Sequence, residues 1–426
     1  MSKLLEESNP YVAFRTKIDA NESIILDGQL YVPSVTVLKP GLDGNSDASV
    51  EASAVTAVIK LNSLGGNFFP QEINSVPPPI SEFTVTRISG GITNALYRIK
   101  SEVHGLTKSN SLLVRVFGGE GMINRDLETV IYASLCSPNN AGANRGYLGR
   151  FGNGRVEGWL DGYRALNVDD LRSPTVMAGV ASSMASMHKF ELPEVAKITL
   201  AKDNEGGWEQ PMMWKDIMNW GDQAVVNLSK KHGVGWFGGG ADHSRALALD
   251  SAAIINVEIP HLKTLLNSLA GTSATAFCHN DLLAGNIMTN LSTGERAKRS
   301  EASFEEDEKI YERATTKTNN IPNKLHSICS LPLAFPCSGD IQLIDFEYGT
   351  VNFVAFDIAN HFNEWAGGTD NGKPNYDLLP TSAQMKSFVD KYVEERGEKG
   401  LEGGELLKEV SERSERAFWK KRNINY

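Results

Sequence analysis

Apolar and polar positions in the first third of the chain fall into short runs, and farther along they lengthen into helical stretches. Phe83 to Ile88 and Leu96 to Ile99 read as two strands flanking the turn Ser89-Gly90-Gly91-Ile92-Thr93-Asn94. Leu112 to Gly118 reads as a buried strand carrying one cation, Arg115. Ile123 to Leu135 has apolar residues at helical spacing with Glu128 in its first turns. Arg150 to Gly162 reads as a short hairpin running into a connector, and Thr175 to Phe190, rich in Ala and Met, as a core helix. Trp208, Trp214, Trp220 and Trp236 are irregularly spaced and are expected to anchor helical packing. A mostly apolar run, Ile341 to Ile344, then leads into a stretch rich in aromatics, acids and asparagines that ends at Trp365.

Two segments carry candidate chemistry. In His279-Asn280-Asp281-Leu282-Leu283-Ala284-Gly285-Asn286, a His-x-Asp is followed by an Asn five positions after the Asp, the spacing of a phosphotransferase catalytic loop. A phosphoryl group in flight spreads negative charge over its oxygens, so the site must supply hard oxygen ligands for a metal and a carboxylate for the acceptor's proton. Asp281 suits the proton; Asn286 and the downstream Asp345 suit the metal. Taken alone, an Asp in a polar loop is more often a turn or cap residue, and the pairing of the two segments argues against that use here. His279 is expected to be a packed, hydrogen-bonded scaffold residue.

The run Asp345-Phe346-Glu347-Tyr348 through Asp357, Asn360, His361, Phe362, Asn363, Glu364 and Trp365 resembles the signature of the choline and ethanolamine kinases, and the catalytic loop is similar to theirs. Asn363 makes the ending closer to the ethanolamine branch. The resemblance covers roughly residues 80 to 395. It implies an α+β, two-lobed protein-kinase-like fold, with an antiparallel sheet in the small lobe and a large, mainly helical lobe. It implies ATP and Mg as cofactors and an amino alcohol as acceptor, with ethanolamine phosphorylated in the first step towards phosphatidylethanolamine by the CDP-ethanolamine route. Choline remains the alternative acceptor, and a catalytically impaired relic the alternative of another class.

The resemblance also distributes roles. Gly90, Gly91, Thr93 and Asn94 would cover the phosphates, although a Gly-Gly turn by itself is usually only a turn. Arg115 would stand where protein kinases carry a Lys, gripping phosphate bidentately. Glu128 would orient that cation, with a solvated helical Glu as the competing use. The connector around Glu157 to Leu160, including Trp159, would read adenine through its backbone. Glu347, Glu364 and Trp365 would hold the amine, because an ammonium seeks carboxylates and a trimethylammonium seeks aromatic faces. Asp357 and Asn360 would brace the loop as buried hydrogen-bonded residues.

Composition narrows the field. The chain has 426 residues, 41% hydrophobic and 22% charged, in the range of a globular protein with more than one core. A net charge of -10 argues against nucleic-acid partners and suits a cationic substrate. Cys136, Cys278, Cys329 and Cys337 show no metal spacing, no stretch reaches transmembrane length, and Met1 to Pro10 does not resemble a signal peptide, so a cytoplasmic location is expected. Oligomeric state is not set by the sequence, and a homodimer is left open. Four regions are expected: an N-terminal extension over 1–80, a small nucleotide-binding lobe over 81–160, a large catalytic lobe over 161–395 interrupted by a charged surface insertion at 291–339, and an atypical charged tail over 396–426. Family members usually continue through further helices where that tail stands, so part of the amine pocket is expected to be missing.

Overall fold

The computed structural model describes residues 24–26, 29–39, 45–66, 68–69, 78–88, 93–101, 111–118, 123–136, 146–203, 207–221, 257, 259–261, 263–264, 274–290, 341–368, 373–397 and 403–411. Gly90, Gly91, Trp236, Cys329, Cys337 and the 291–339 insertion lie outside them. The strands are β1 (Ile24–Leu26), β2 (Gln29–Val32), β3 (Phe83–Ile88), β4 (Asn94–Ser101), β5 (Leu112–Phe117), β6 (Tyr147–Phe151), β7 (Gly154–Gly158), β8 (Tyr163–Ala165), β9 (Thr275–Cys278), β10 (Ile287–Asn290), β11 (Ile341–Leu343) and β12 (Thr350–Phe353). The principal helices are α1 (Asp47–Leu61), α2 (Arg125–Leu135), α3 (Pro174–Met187), α4 (Glu194–Asp203), α5 (Val354–Glu364) and α6 (Ser382–Arg396). The chain forms two compact units, the first comprising Met1–Ser186, Leu192–Ala196 and Ala284–Glu347, the second Met187–Glu191, Lys197–Leu283 and Tyr348–Tyr426. The first unit thus extends past the expected boundary at 160 and takes in the end of the catalytic loop and the Asp345 segment.

The first unit is built on a seven-stranded sheet of order β1-β2-β6-β7-β5-β4-β3, antiparallel except where β2 runs parallel to β6. Alternation along the strands sorts it into two faces. Leu112, Val114 and Val116 of β5 and Val156 of β7 join one apolar core with Tyr97 and Ile99. Helix α1 covers that core: Ser46 caps it by accepting from the Ser49 N–H, and Val50, Ala54, Val55, Ala57, Val58 and Leu61 are buried. The N-terminal extension therefore contributes a strand pair and a core helix to the sheet. On the opposite face of β5 and β7 stand Arg115, Arg155 and Glu157, because the register pairs Arg115 with Arg155 and Leu113 with Glu157. A second sheet, β11-β10-β8, pairs Ile287 with Leu343 and Met288 with Ala165.

In the second unit β9 pairs antiparallel with β12, Cys278 opposite Thr350. Met213, Trp214 and Phe353 form a small core with Ile217, Ile259 and Phe356. Residues 403–411, within the expected atypical charged tail, are helical, with Leu406 and Val410 buried. Their apolar positions are four apart and share one helix face, which explains the burial. Trp214 anchors packing as expected, whereas Trp220 is an exposed large side chain. Among the described residues no helix is long and apolar enough to cross a membrane.

Candidate active site

The polar face of the first unit's sheet holds a buried chain of arginines and carboxylates. Arg115 Nε donates to Glu157 Oε1 at 2.7 Å, and its Nη1 donates to Asp345 Oδ1 at 2.9 Å. Arg155 Nε donates to the same Glu157 oxygen at 2.6 Å, while its Nη1 donates to Glu128. Two guanidiniums directly across a ladder would repel; the shared Glu157 between them and the added Glu128 compensate. Burial alone would raise the Glu157 pKa, but Arg115 and Arg155 outweigh it and bring the carboxyl down to about 2. Glu128 is likewise held low against burial by Arg155 and Arg125.

This arrangement corrects two expected roles. Glu128 pairs with Arg155 and Arg125, not with Arg115. The carboxylate that orients Arg115 is Glu157, which alternation on β7 places on the same face. In the connector around Glu157 to Leu160, expected to read adenine through its backbone, two N–H groups are already engaged, and the Glu157 side chain orients Arg115. β7 is paired on both sides, the Gly158 N–H donates to the Gly146 carbonyl at 3.0 Å, and the Trp159 N–H donates to the Ser111 carbonyl at 3.3 Å. The Trp159 ring lies under the Arg98 guanidinium, 4.5 Å away.

Glu347 is a third correction. Its oxygens accept from Thr93 Oγ1 at 2.7 Å, Asn94 Nδ2 at 3.0 Å and Arg125 Nη1 at 3.0 Å, so both are engaged in clasping the start of β4 and are not open to an amine. Arg125 continues the clasp, donating to the Asn94 side-chain oxygen and to the Gly118 carbonyl. Gly118 must be glycine, since a Cβ there would run into the Thr93 carbonyl. Sequence reading missed Arg125 and Arg155; the available signal was the Gly-Arg-Val-Glu alternation of a short buried strand.

The expected metal ligands are adjacent in the first unit. Asn286 ends the turn Ala284–Asn286 directly before β10, Asp345 is the second residue after β11, and the Asn286 carbonyl accepts from the Ile344 N–H at 3.0 Å. The β10–β11 ladder therefore delivers an amide oxygen and a carboxylate from neighbouring chain ends. Both are hard oxygen donors, and the Asp345 side chain is 24% exposed, which fits an ion such as Mg that keeps part of its water shell. Asp345 holds φ 65°, a conformation costly for a residue with a Cβ.

Asp281 lies in the second unit, on a loop pinned on both sides. Asp357, buried in the first turn of α5, accepts from the His279 N–H at 3.0 Å and the Asn280 N–H at 2.7 Å. Asn280, also at φ 65°, donates through Nδ2 to the Tyr348 carbonyl at 2.9 Å and accepts from Asn352 Nδ2 at 2.8 Å. Beyond Asp281, His361 Nδ1 donates to the Leu282 carbonyl at 3.0 Å, and burial lowers that imidazole's pKa to about 4. Asp357 braces the loop as expected; Asn352 supplies the side-chain bond expected of Asn360, which is only half-buried.

Trp365 is the fourth correction. It is 0% exposed, packed edge-on against Phe362 and His361, and so belongs to the core and cannot touch an amine. Glu364 is half-buried at the end of α5. Tyr348 packs edge-on to Trp220 with ring centres 5.8 Å apart.

The family described as choline/ethanolamine kinase matches residues 85–420, past the point near 395 where motif resemblance thins. A probable ethanolamine kinase of Arabidopsis thaliana is 29% identical over 316 residues, 74% of this chain and 64% of that protein, so the chain spans less than two thirds of that relative's length. A probable choline kinase of the same plant is 27% identical over 327 residues, 75% of this chain and 71% of the relative. A solved ethanolamine kinase from Plasmodium vivax shares the α+β fold at TM-score 0.55 and 21% identity, covering 84% of this chain and 79% of that one.

Proposed function

Because this chain belongs to the choline/ethanolamine kinase family, we propose that it transfers the γ-phosphoryl group of ATP to the hydroxyl of ethanolamine. The observation that carries the reading is the contact between Arg115, the phosphate-gripping cation, and Asp345, held beside Asn286 by the β10–β11 ladder. In this reading Asn286 and Asp345 hold Mg, which when bound neutralises charge on the phosphate oxygens. Asp281 accepts the acceptor's hydroxyl proton as the oxygen bonds to phosphorus and ADP leaves. Arg115, always charged, binds the phosphates. The clasp of Glu347 with Thr93, Asn94 and Arg125 holds the start of β4 in place.

With Glu347 engaged and Trp365 in the core, Glu364 is the remaining carboxylate candidate for the ammonium. The loss of Trp365 and Phe362 to the core weakens the case for an aromatic cage and supports ethanolamine. Choline is the second reading, favoured by the Tyr348–Trp220 pair. The test is ADP release and product formation by the purified chain with ATP and Mg, given ethanolamine, choline or no acceptor. Ethanolamine is expected to stimulate turnover most. A preference for choline reverses the specificity, and equal rates in all three arms end the kinase reading.

A further inference from the structure

Asp357 does not hold the catalytic loop unaided. Its Oδ2, which takes the His279 amide, also faces His188 Nε2 at 3.0 Å, and His188 Nδ1 lies 2.7 Å from the Tyr392 hydroxyl on α6. His188 and Tyr392 meet edge-on, ring centres 5.5 Å apart, and Asp357, His188 and Tyr392 are all buried. An ionised carboxylate only accepts, so Nε2 carries a proton towards Asp357, and Nδ1 faces the Tyr392 hydroxyl, which is both donor and acceptor. Cys278 completes a group of metal-ligand type with His188 and Asp357, all within 4.8 Å. Its thiol is held protonated by burial and donates to the Asn352 carbonyl at 3.5 Å, so the group is a hydrogen-bond network and not a cation site.

The far end of this network is Asn280, in a left-handed conformation one residue before Asp281. Such a backbone persists only where its surroundings over-determine it. The hydrogen bond from the Asn280 N–H to Asp357 Oδ1 is one such determinant, and His188 engages the other oxygen of the same carboxylate. His188 in turn has its ring plane set by Tyr392, a residue far along the chain on a different helix.

We propose that His188 and Tyr392 are positioning residues for phosphoryl transfer: the connection from the Tyr392 hydroxyl through the His188 imidazole to the Asp357 carboxylate sets the backbone of His279 and Asn280, and thereby where Asp281 points. The inference rests on Asp281 being the proton acceptor. It makes α6 part of the catalytic loop's support, with Tyr392 acting through two intermediaries and touching no substrate.

The test compares wild type, Tyr392→Phe, His188→Gln and the control Val389→Ala, which opens a small hole in the same helix without touching the network. Two quantities are read: the ratio of ethanolamine-dependent transfer to acceptor-free ATP hydrolysis, and hydrogen exchange at the amides of His279 and Asn280. A smaller folded fraction lowers transfer and hydrolysis together and leaves the ratio alone. Misplacing Asp281 lowers the ratio, by about three- to tenfold in Tyr392→Phe, given that shifts of an ångström cost up to a hundredfold. Exchange at the two amides should quicken by about tenfold relative to the other loop amides. His188→Gln should exceed both effects; if it fails to fold, Tyr392→Phe still decides. An unchanged ratio with unchanged exchange in Tyr392→Phe, or the same two shifts in Val389→Ala, overturns the proposal. If wild type transfers phosphoryl to neither amine, the kinase reading falls, and the exchange measurement still decides whether the network holds the loop.

Discussion

Asp345 and Asn280 share a left-handed backbone, better tolerated by Asp and Asn than by other residues with a Cβ yet still at about 1 kcal/mol or more each. Each is locked by partners: Asp345 by Arg115, Asn280 by Asp357, Asn352 and the Tyr348 carbonyl. One of these positions is itself the candidate metal carboxylate and the other directly precedes Asp281. Asp345→Ala and Asp281→Ala should each lower turnover by on the order of a hundredfold or more, measured as amine-dependent ADP release; near-normal turnover in Asp345→Ala would remove the metal assignment. His361 offers a separate test through stability. Burial drops its pKa from 6.5 to about 4, so the unfolded chain binds the proton more readily, and stability is full above pH 6.5 and falls as pH drops towards 4. Wild type should lose about 3 kcal/mol more than His361→Gln between about pH 7 and about pH 4 in denaturant titrations, from the free energy per unit of pKa. Parallel pH profiles would show that the imidazole is not held neutral.

Helix α5 shows how one element divides its labour. Val354, Ile358, His361, Phe362 and Trp365 recur at helical spacing and are buried, with Phe388 of α6 meeting Phe362 at 5.1 Å between ring centres. Asp357 and His361, polar members of the buried set, face the catalytic loop. In the sequence the aromatics beside Glu364 look like a cage; on the helix the same spacing makes them a core face. Trp365→Ala should therefore cost about 3–5 kcal/mol of stability, read by chemical denaturation, while the folded fraction keeps its Michaelis constant for the amine. A large rise in that constant at unchanged stability would return Trp365 to the binding site. On β7 the lesson is similar: Arg155 and Glu157 were legible as charges on a short strand, but their pairing with Arg115 and Glu128 required the register.

For the molecule as a whole, the register of β10 and β11 bears on the charged insertion. Thr289 stands opposite Ile341 as the last pair of the ladder, so the two strands end side by side and a short turn suits the gap from 290 to 341. Replacing residues 291–340 with such a turn should preserve cooperative melting and leave turnover within about twofold, since connection length between paired strands alters closure entropy only slowly. Collapse of both would show that the segment supports the fold. What the sequence determined alone was whatever local connectivity controls: the strands and helices read between Phe83 and Phe190, the five-position step from Asp281 to Asn286, and an Asp following an apolar strand. Those features depend on neighbours along the chain, where alternation, helical period and turn chemistry act. The tertiary structure decided the partners of Arg115, Glu128, Glu347, Trp365 and His188, because each meets groups from other elements. A strand or helix pattern assigns a side chain to a face, and only packing brings one of the many residues on the opposing face within hydrogen-bond reach.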